Sequence, residues 1–192
     1  MILSLPNCLT FFRIFAIPMI VAIHLSDIQY GNWMIAVIFT LAGISDALDG
    51  YLARKLNQAS KLGAFLDPVA DKLLVTSMLV LIATDLEVRS QIWLDWFFIL
   101  TILLIIGREV MVSALREWMA ELGKRAHVAV SVVGKYKTGI QMTAIGALLF
   151  KQDLFGLPIL HIGEILLYLA GVLTIWSMSI YLSAAYRAID QA

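Results

Sequence analysis

The stretch DALDGYLARKLNQASKLGAFLDPVAD, residues 46–71, sets four aspartates between two oily runs, MIAVIFTLAGIS before it and KLLVTSMLVLIAT after it. An aspartate on an apolar helix costs several kcal/mol unless it is paired or faces water. Four of them at helical spacing therefore imply a wet pocket cut into an otherwise lipid-compatible bundle. How far the oily background extends decides whether that bundle is a membrane protein.

It extends over the whole chain. Of 192 residues, 61% are hydrophobic and 15% charged, and the mean hydropathy is +0.88. Globular domains run at about 45–50% apolar and about 25% charged, so an integral membrane protein is the first expectation. Fourteen basic and fourteen acidic residues cancel, which gives no sign of a nucleic-acid partner. Cys8 is the only cysteine, so an internal disulfide and a cysteine-rich zinc site are both excluded, and packing is its expected role. The first 25 residues lack a basic leader and are interrupted by Arg13 and Pro18. A retained first span is expected rather than a cleaved signal.

Apolar runs and turn residues divide residues 1–192 into six expected membrane helices of one polytopic domain, at about 5–26, 32–55, 62–84, 92–118, 132–151 and 164–186. The gaps SDIQYGN, NQAS, TDLEVRS, ELGKRAH and KQDLFGLP read as turns. With the N-terminus inside, Arg54, Lys55, Lys61, Lys124, Arg125 and Arg187 fall at inner ends, and only Arg89 and Lys151 in outer loops. The outer loops are expected to hold Asp27, Asp85, Glu87, Asp95, Asp153 and Glu164. That asymmetry predicts cytoplasmic N- and C-termini. Trp33, Trp93 and Trp96 suit an outer aromatic belt.

Five of the six spans carry charge toward the inner end: Arg13; Asp46 and Asp49; Asp67 and Asp71; Arg108 and Glu109; Lys135 and Lys137. A common cytoplasm-facing cavity accounts for the shared depth. Asp46, Asp49, Gly50 and Ala53 follow i, i+3, i+4, i+7 and form one helical face, and Gly63, Asp67, Ala70 and Asp71 repeat the pattern. A tight turn near Asn57 to Ser60 would set the two faces side by side. Carboxylates so placed repel one another unless cations join them. Oxygen-only ligands suit two hard divalent ions, Mg²⁺ or Mn²⁺, and paired metals are a recurrent device for displacement at phosphorus. The bland alternative for Asp67, ahead of Pro68, is a helix cap.

The pattern Asp46-x-x-Asp49-Gly50-x-x-Ala53-Arg54, eight residues, Gly63-x-x-x-Asp67-x-x-x-Asp71 resembles the signature of the CDP-alcohol phosphatidyltransferase family without departure. Eight fixed residues at fixed spacing arise by chance on the order of 10⁻¹⁰ per start position, so the signal is specific. The likeness covers nearly the whole chain, through PNCLTFFRIFAIP, GAFLDPVADKLLV, GREVMVSALREWMAELGKR and GKYKTGIQM. It implies the six-helix CDP-alcohol phosphotransferase fold, a homodimer in the bacterial inner membrane, and an active site facing the cytoplasm. It also implies transfer of the phosphatidyl group from CDP-diacylglycerol to the 1-hydroxyl of glycerol 3-phosphate, with release of CMP. On that resemblance Asp46, Asp49, Asp67 and Asp71 hold the metals and Asp71 is the general base. Gly50, Ala53 and Gly63 leave room for the cytidine diphosphate, and Arg54 contacts it.

Asn7, Thr10 and Arg13 share a face of the first span and are assigned to the donor side. A phosphorylated acceptor needs permanent cations of its own, and Arg108, Arg116, Lys135 and Lys137 are the candidates. Against binding stand snorkelling for Arg116 and Lys137 and an ion pair with Glu109 for Arg108. His24, His127 and His161 show no ligand spacing. Two other functions remain open: a cardiolipin-type synthase or another relative with a different acceptor, and a divalent-cation transporter. The second would want polar groups across the outer half, where the sequence offers only scattered Ser and Thr.

Overall fold

The computed structural model describes residues 5–26, 28–55, 61–122 and 132–190. Among them lie seven helices and no β-strand: α1 (Leu5–His24), α2 (Gly31–Lys55), α3 (Lys61–Thr84), α4 (Leu86–Gln91), α5 (Asp95–Glu121), α6 (Val132–Phe150) and α7 (Ile159–Asp190). The expected turn after the third span is in fact the short helix α4. Asp85 makes it one, because its Oδ1 accepts the amide N–H groups of Glu87 at 2.9 Å and Val88 at 3.2 Å and so satisfies two donors at the helix start. The turn Asn57 to Ser60, with Lys124, Arg125 and His127, lies outside the described residues.

Helix α1 packs between α2 and α3, while α7 packs against α5 and α6. Ile20, Ile35, Phe39, Leu74, Met78, Leu79, Phe98, Ile102, Ile105 and Leu148 are buried between them. The outward faces are equally apolar, with Phe15, Val37, Leu103, Val110, Val172 and Ile175 exposed. Helices that are hydrophobic all round belong in a membrane. Among the described residues, Asn7–His24, Asp95–Glu121 and Ile159–Arg187 are each long and apolar enough to cross one. The stretch Gly31–Asp46 of α2 is shorter, because the aspartates begin where it ends.

In lipid, apolar contact alone does not draw helices together, so close backbone approach matters. Gly163 provides one: a Cβ there would lie 3.0 Å from the Ala147 Cβ and the Leu148 Cγ of α6. The chain reaches α7 through a two-residue turn in which Leu154 and Leu157 exchange backbone hydrogen bonds, with Phe155 and Gly156 at φ 52° and 78°. Both central residues are left-handed, as such a hairpin turn requires.

One end of the bundle is closed by polar fastenings. Lys151 Nζ lies 2.6 Å from Asp85 Oδ2 and 2.8 Å from Glu87 Oε2. Arg89 grips Asp95 with two bonds, of 2.8 Å and 2.5 Å. Trp33 Nε1 donates to Gln152, and Trp93 stacks on His161. Asp95 and Glu164, expected in loops, instead lie within α5 and α7. Glu164 is fully buried, and its carboxylate is satisfied there by three groups: the amide of Trp93 at 3.1 Å, the hydroxyl of Tyr168 at 2.7 Å and, at 3.4 Å, His161 Nδ1.

Lys151 itself sits at φ 62°, where a residue with a Cβ is strained. Burial opposes its charge, yet the hydrogen bonds and fields of Asp85 and Glu87 together raise its pKa above the ordinary lysine value. A raised lysine contributes stability below its unfolded pKa and loses it only as pH climbs through the raised one, so the clasp holds throughout the physiological range. Lys151→Ala is expected to cost about 2 kcal/mol by removing a largely buried ion pair. Lys151→Gly should cost about 1 kcal/mol less, since glycine relieves the left-handed backbone. Thermal unfolding of both variants in detergent checks the order, and equal losses would remove the backbone contribution.

Candidate active site

At the opposite end, the polar face of α1 points into the bundle. Asn7, Thr10 and Arg13 are all buried, Arg13 completely. Such a cation is tolerable only with anionic partners, and α2 and α3 supply four. Arg13 Nη1 lies 2.9 Å from Asp46 Oδ1 and also pairs with Asp71; Nη2 pairs with Asp49 and lies 3.5 Å from Asp67 Oδ1. Thr10 Oγ1 donates to Asp67 at 2.5 Å. The i, i+3 and i, i+4 spacings put each pair of aspartates on one face, and α1 lies against both faces at once.

Burial divides the four carboxylates. The Asp49 side chain is 4% exposed, whereas those of Asp46, Asp67 and Asp71 are 39–52% exposed. The site is therefore dry at the back and wet at the mouth. Asp67 is no helix cap: Pro68 lies inside α3, almost two turns beyond its start. Gly63 is buried in the first turn of α3. Gly50, Ala53 and Arg54 lie on α2 and Lys135 on α6, but their side chains lie outside the described residues.

The donor set consists of carboxylate oxygens, with four formal negative charges facing one guanidinium. Arg13 is a stand-in cation for part of that charge, and the surplus with its hard oxygen donors fits divalent ions. In this arrangement the carboxylates turn to Arg13 rather than to a common centre, and no group of three metal-spaced His, Cys, Asp or Glu residues occurs among the described residues.

A second polar cluster forms where α5, α6 and α7 meet. Glu109 Oε1 accepts from Arg108 Nη1 at 2.9 Å and from Lys137 Nζ at 2.7 Å. Arg108 Nη2 reaches Ser177 Oγ at 3.4 Å, and Arg116 Nη2 reaches the Tyr181 hydroxyl at 3.1 Å. Arg108 and Lys137 are buried, so neither snorkels outward. Lys72, beside Asp71, donates to Ser113, which lies one turn from both Glu109 and Arg116 on α5. That bond ties the two clusters together.

The sequence profile of the CDP-alcohol phosphatidyltransferase family matches residues 3–176. The chain belongs to this family. Relatives include proteins named CDP-diacylglycerol–glycerol-3-phosphate 3-phosphatidyltransferase from Escherichia coli strain K12 and Shigella flexneri. Both are 43% identical over 182 residues, which is 95% of this chain and 94% of theirs. The same-named protein of Salmonella choleraesuis strain SC-B67 is 44% identical over the same shares. CDP-alcohol phosphatidyltransferases are enzymes that use divalent metal ions, in keeping with the oxygen-only donor set. The match covers both clusters except for Ser177 and Tyr181, which lie just past its end.

Those two residues, with Ser113, are what a reading of charge along the sequence misses, because α7 looks uniformly apolar. The signal is there in the spacing. Thr174, Ser177, Tyr181 and Ala185 recur at i, i+3, i+7 and i+11 and are all buried, which makes a weakly polar stripe on the inner face of the helix.

Proposed function

We propose that the protein transfers the phosphatidyl group of CDP-diacylglycerol to the 1-hydroxyl of sn-glycerol 3-phosphate, giving phosphatidylglycerophosphate and CMP. The observation that carries this is the convergence of Asp46, Asp49, Asp67 and Asp71 on one buried cation, in a chain whose same-named relatives cover its length.

The polar end faces the cytoplasm of a bacterial cell, and α1, α2, α3, α5, α6 and α7 cross the inner membrane, with α4 lying at its outer surface. At about 1.5 Å per residue, even α6, with 19 residues, reaches about 28 Å, close to the hydrocarbon thickness. An apolar groove of about 820 Å³, lined by Val37, Thr40, Gly43, Ile44, Met142 and Gly146, runs along α2 toward Asp46 and suits the donor's acyl chains. Asn7, Thr10, Arg13, Gly50, Ala53, Arg54 and Gly63 take the cytidine diphosphate. Arg108, Arg116, Lys135 and Lys137 take the acceptor's phosphate. The enzyme acts as a homodimer.

Asp46, Asp49, Asp67 and Asp71 would hold two divalent ions, Mg²⁺ or Mn²⁺, which would supply positive charge to neutralise the diphosphate and the leaving oxygen. Asp71, on the wet side of the site, takes the proton of the acceptor hydroxyl. The freed oxygen forms its bond to the phosphorus that carries diacylglycerol, the bond from that phosphorus to the bridging oxygen breaks, and CMP departs with the electron pair. Arg108 and Lys137 hold the acceptor's phosphate so that its hydroxyl, not the phosphate, meets the donor.

Purified protein in micelles with CDP-diacylglycerol and Mn²⁺ is expected to release CMP only when glycerol 3-phosphate is added. Release driven equally well by phosphatidylglycerol would overturn the acceptor, and no release with any acceptor would overturn the reaction.

A further inference from the structure

Arg108 and Arg116 stand eight residues apart on α5, which separates them by about 12 Å along the helix and about 80° around it. Ordinary rotamers would let the two heads diverge. Instead both lie over one ring. Their Cζ atoms are 5.8 Å and 5.3 Å from the centroid of Tyr181, a residue of α7 that is 3% exposed.

The grip on each cation is one-sided. Arg116 donates through Nη2 to the Tyr181 hydroxyl, and Arg108 through Nη2 to Ser177 and through Nη1 to Glu109. The Nε–H groups of both arginines are buried with no hydrogen-bond acceptor among the described residues. Buried donors are rarely left so, because an unmade bond costs about 1–3 kcal/mol. An oxyanion that enters between them supplies the acceptors. Three cations, Arg108, Arg116 and Lys137, against one carboxylate, Glu109, leave a formal +2, which matches a phosphomonoester dianion.

We infer that Tyr181 is a positioning residue for the acceptor's phosphate: its ring and hydroxyl draw two arginines from different sides of α5 into one pair of forks. The aromatic face is needed because it attracts both cations at once, while an aliphatic side chain of similar bulk would leave them to repel each other. The hydroxyl sets the rotation of the Arg116 fork, and Ser177 does the same for Arg108. This rests on the α5–α6 cations being the glycerol 3-phosphate pocket.

The test measures KM for each substrate and kcat in the purified full-length enzyme. Tyr181→Leu is expected to raise KM for glycerol 3-phosphate about tenfold, in line with two cation–π contacts, while KM for CDP-diacylglycerol and kcat change less than about threefold. Tyr181→Phe keeps the ring and should raise it about threefold, as loss of one hydrogen bond predicts. Because the hydroxyl acts through Arg116, Tyr181→Phe should add almost nothing in an Arg116→Ala background. Equal rises in both KM values, or fold-changes that multiply in the double variant, would overturn the inference. Should Tyr181→Leu fail to fold, Tyr181→Phe and the double variant decide the matter. Arg108→Ala separates the two levels. If it leaves the acceptor KM unchanged, the pocket reading falls and the inference with it; if it raises that KM while the Tyr181 variants do not, only the role of Tyr181 falls.

Discussion

Asp71→Asn is expected to lower kcat by about 10³ or more, the usual scale for loss of a general base, with the protein still folded and still taking up the donor. Asparagine has nearly the shape of aspartate, so the α1–α3 contact survives. What disappears is a carboxylate that pairs with Arg13 and has a side chain 42% exposed at the wet mouth of the site. A proton acceptor must meet the acceptor hydroxyl from water, and Asp49, at 4% exposed, is too enclosed to do so. Asp46→Asn provides the contrast. Its loss should show chiefly as a higher requirement for Mn²⁺, recoverable by adding more ion, whereas Asp71→Asn should not recover at any concentration. CMP release across a Mn²⁺ titration, beside circular dichroism of each variant, checks both. Activity of Asp71→Asn above about a tenth of the parent would remove the assignment as base.

The second large effect is on Arg13. Replacing this buried guanidinium with methionine, which has similar length and no charge, leaves four carboxylates without their shared partner. Breaking a buried ion pair by removing one member costs about 3–5 kcal/mol, so Arg13→Met in the presence of a chelator should unfold well below the parent temperature. Added Mn²⁺ should restore more stability to the variant than it gives the parent, because in the parent the ion competes with the guanidinium for the same oxygens. Activity should fall about 10² or more even with saturating Mn²⁺, since the donor's diphosphate loses a charged contact. Thermal unfolding with and without the ion, together with CMP release, tests this. Equal losses of stability under both conditions would show that Arg13 does not neutralise the aspartates.

Much of the carboxylate cluster is legible in the chain before any coordinates. Helical spacing alone puts Asp46 with Asp49 and Asp67 with Asp71, because rise and turn per residue are fixed. Depth in an apolar run then argues that the four meet. What spacing does not give is the partner across the interface. Arg13 reads as a contact for the donor, and only the packing of α1 against both faces brings its head among all four aspartates. The same limit hides Tyr181 and Ser177. They are uncharged, they sit in a long apolar run, and their importance comes from Arg108 and Arg116, more than sixty residues away.

The capped end illustrates a different gap. Loop or helix is decided there by single side chains, and hydropathy averages them away. Asp85 turns an expected loop into α4 by taking two amide protons. Glu164 looks like a solvated outer acid until Trp93, His161 and Tyr168 are seen around it. Charge bias groups these acids away from the aspartates but has no means of saying which are buried.

That fastened end also governs how the molecule can move. Lys151 ties the end of α6 to the start of α4, and Glu164 ties α7 to the connection between α4 and α5, so a tilt of α6 or α7 at this end must carry the intervening segment with it.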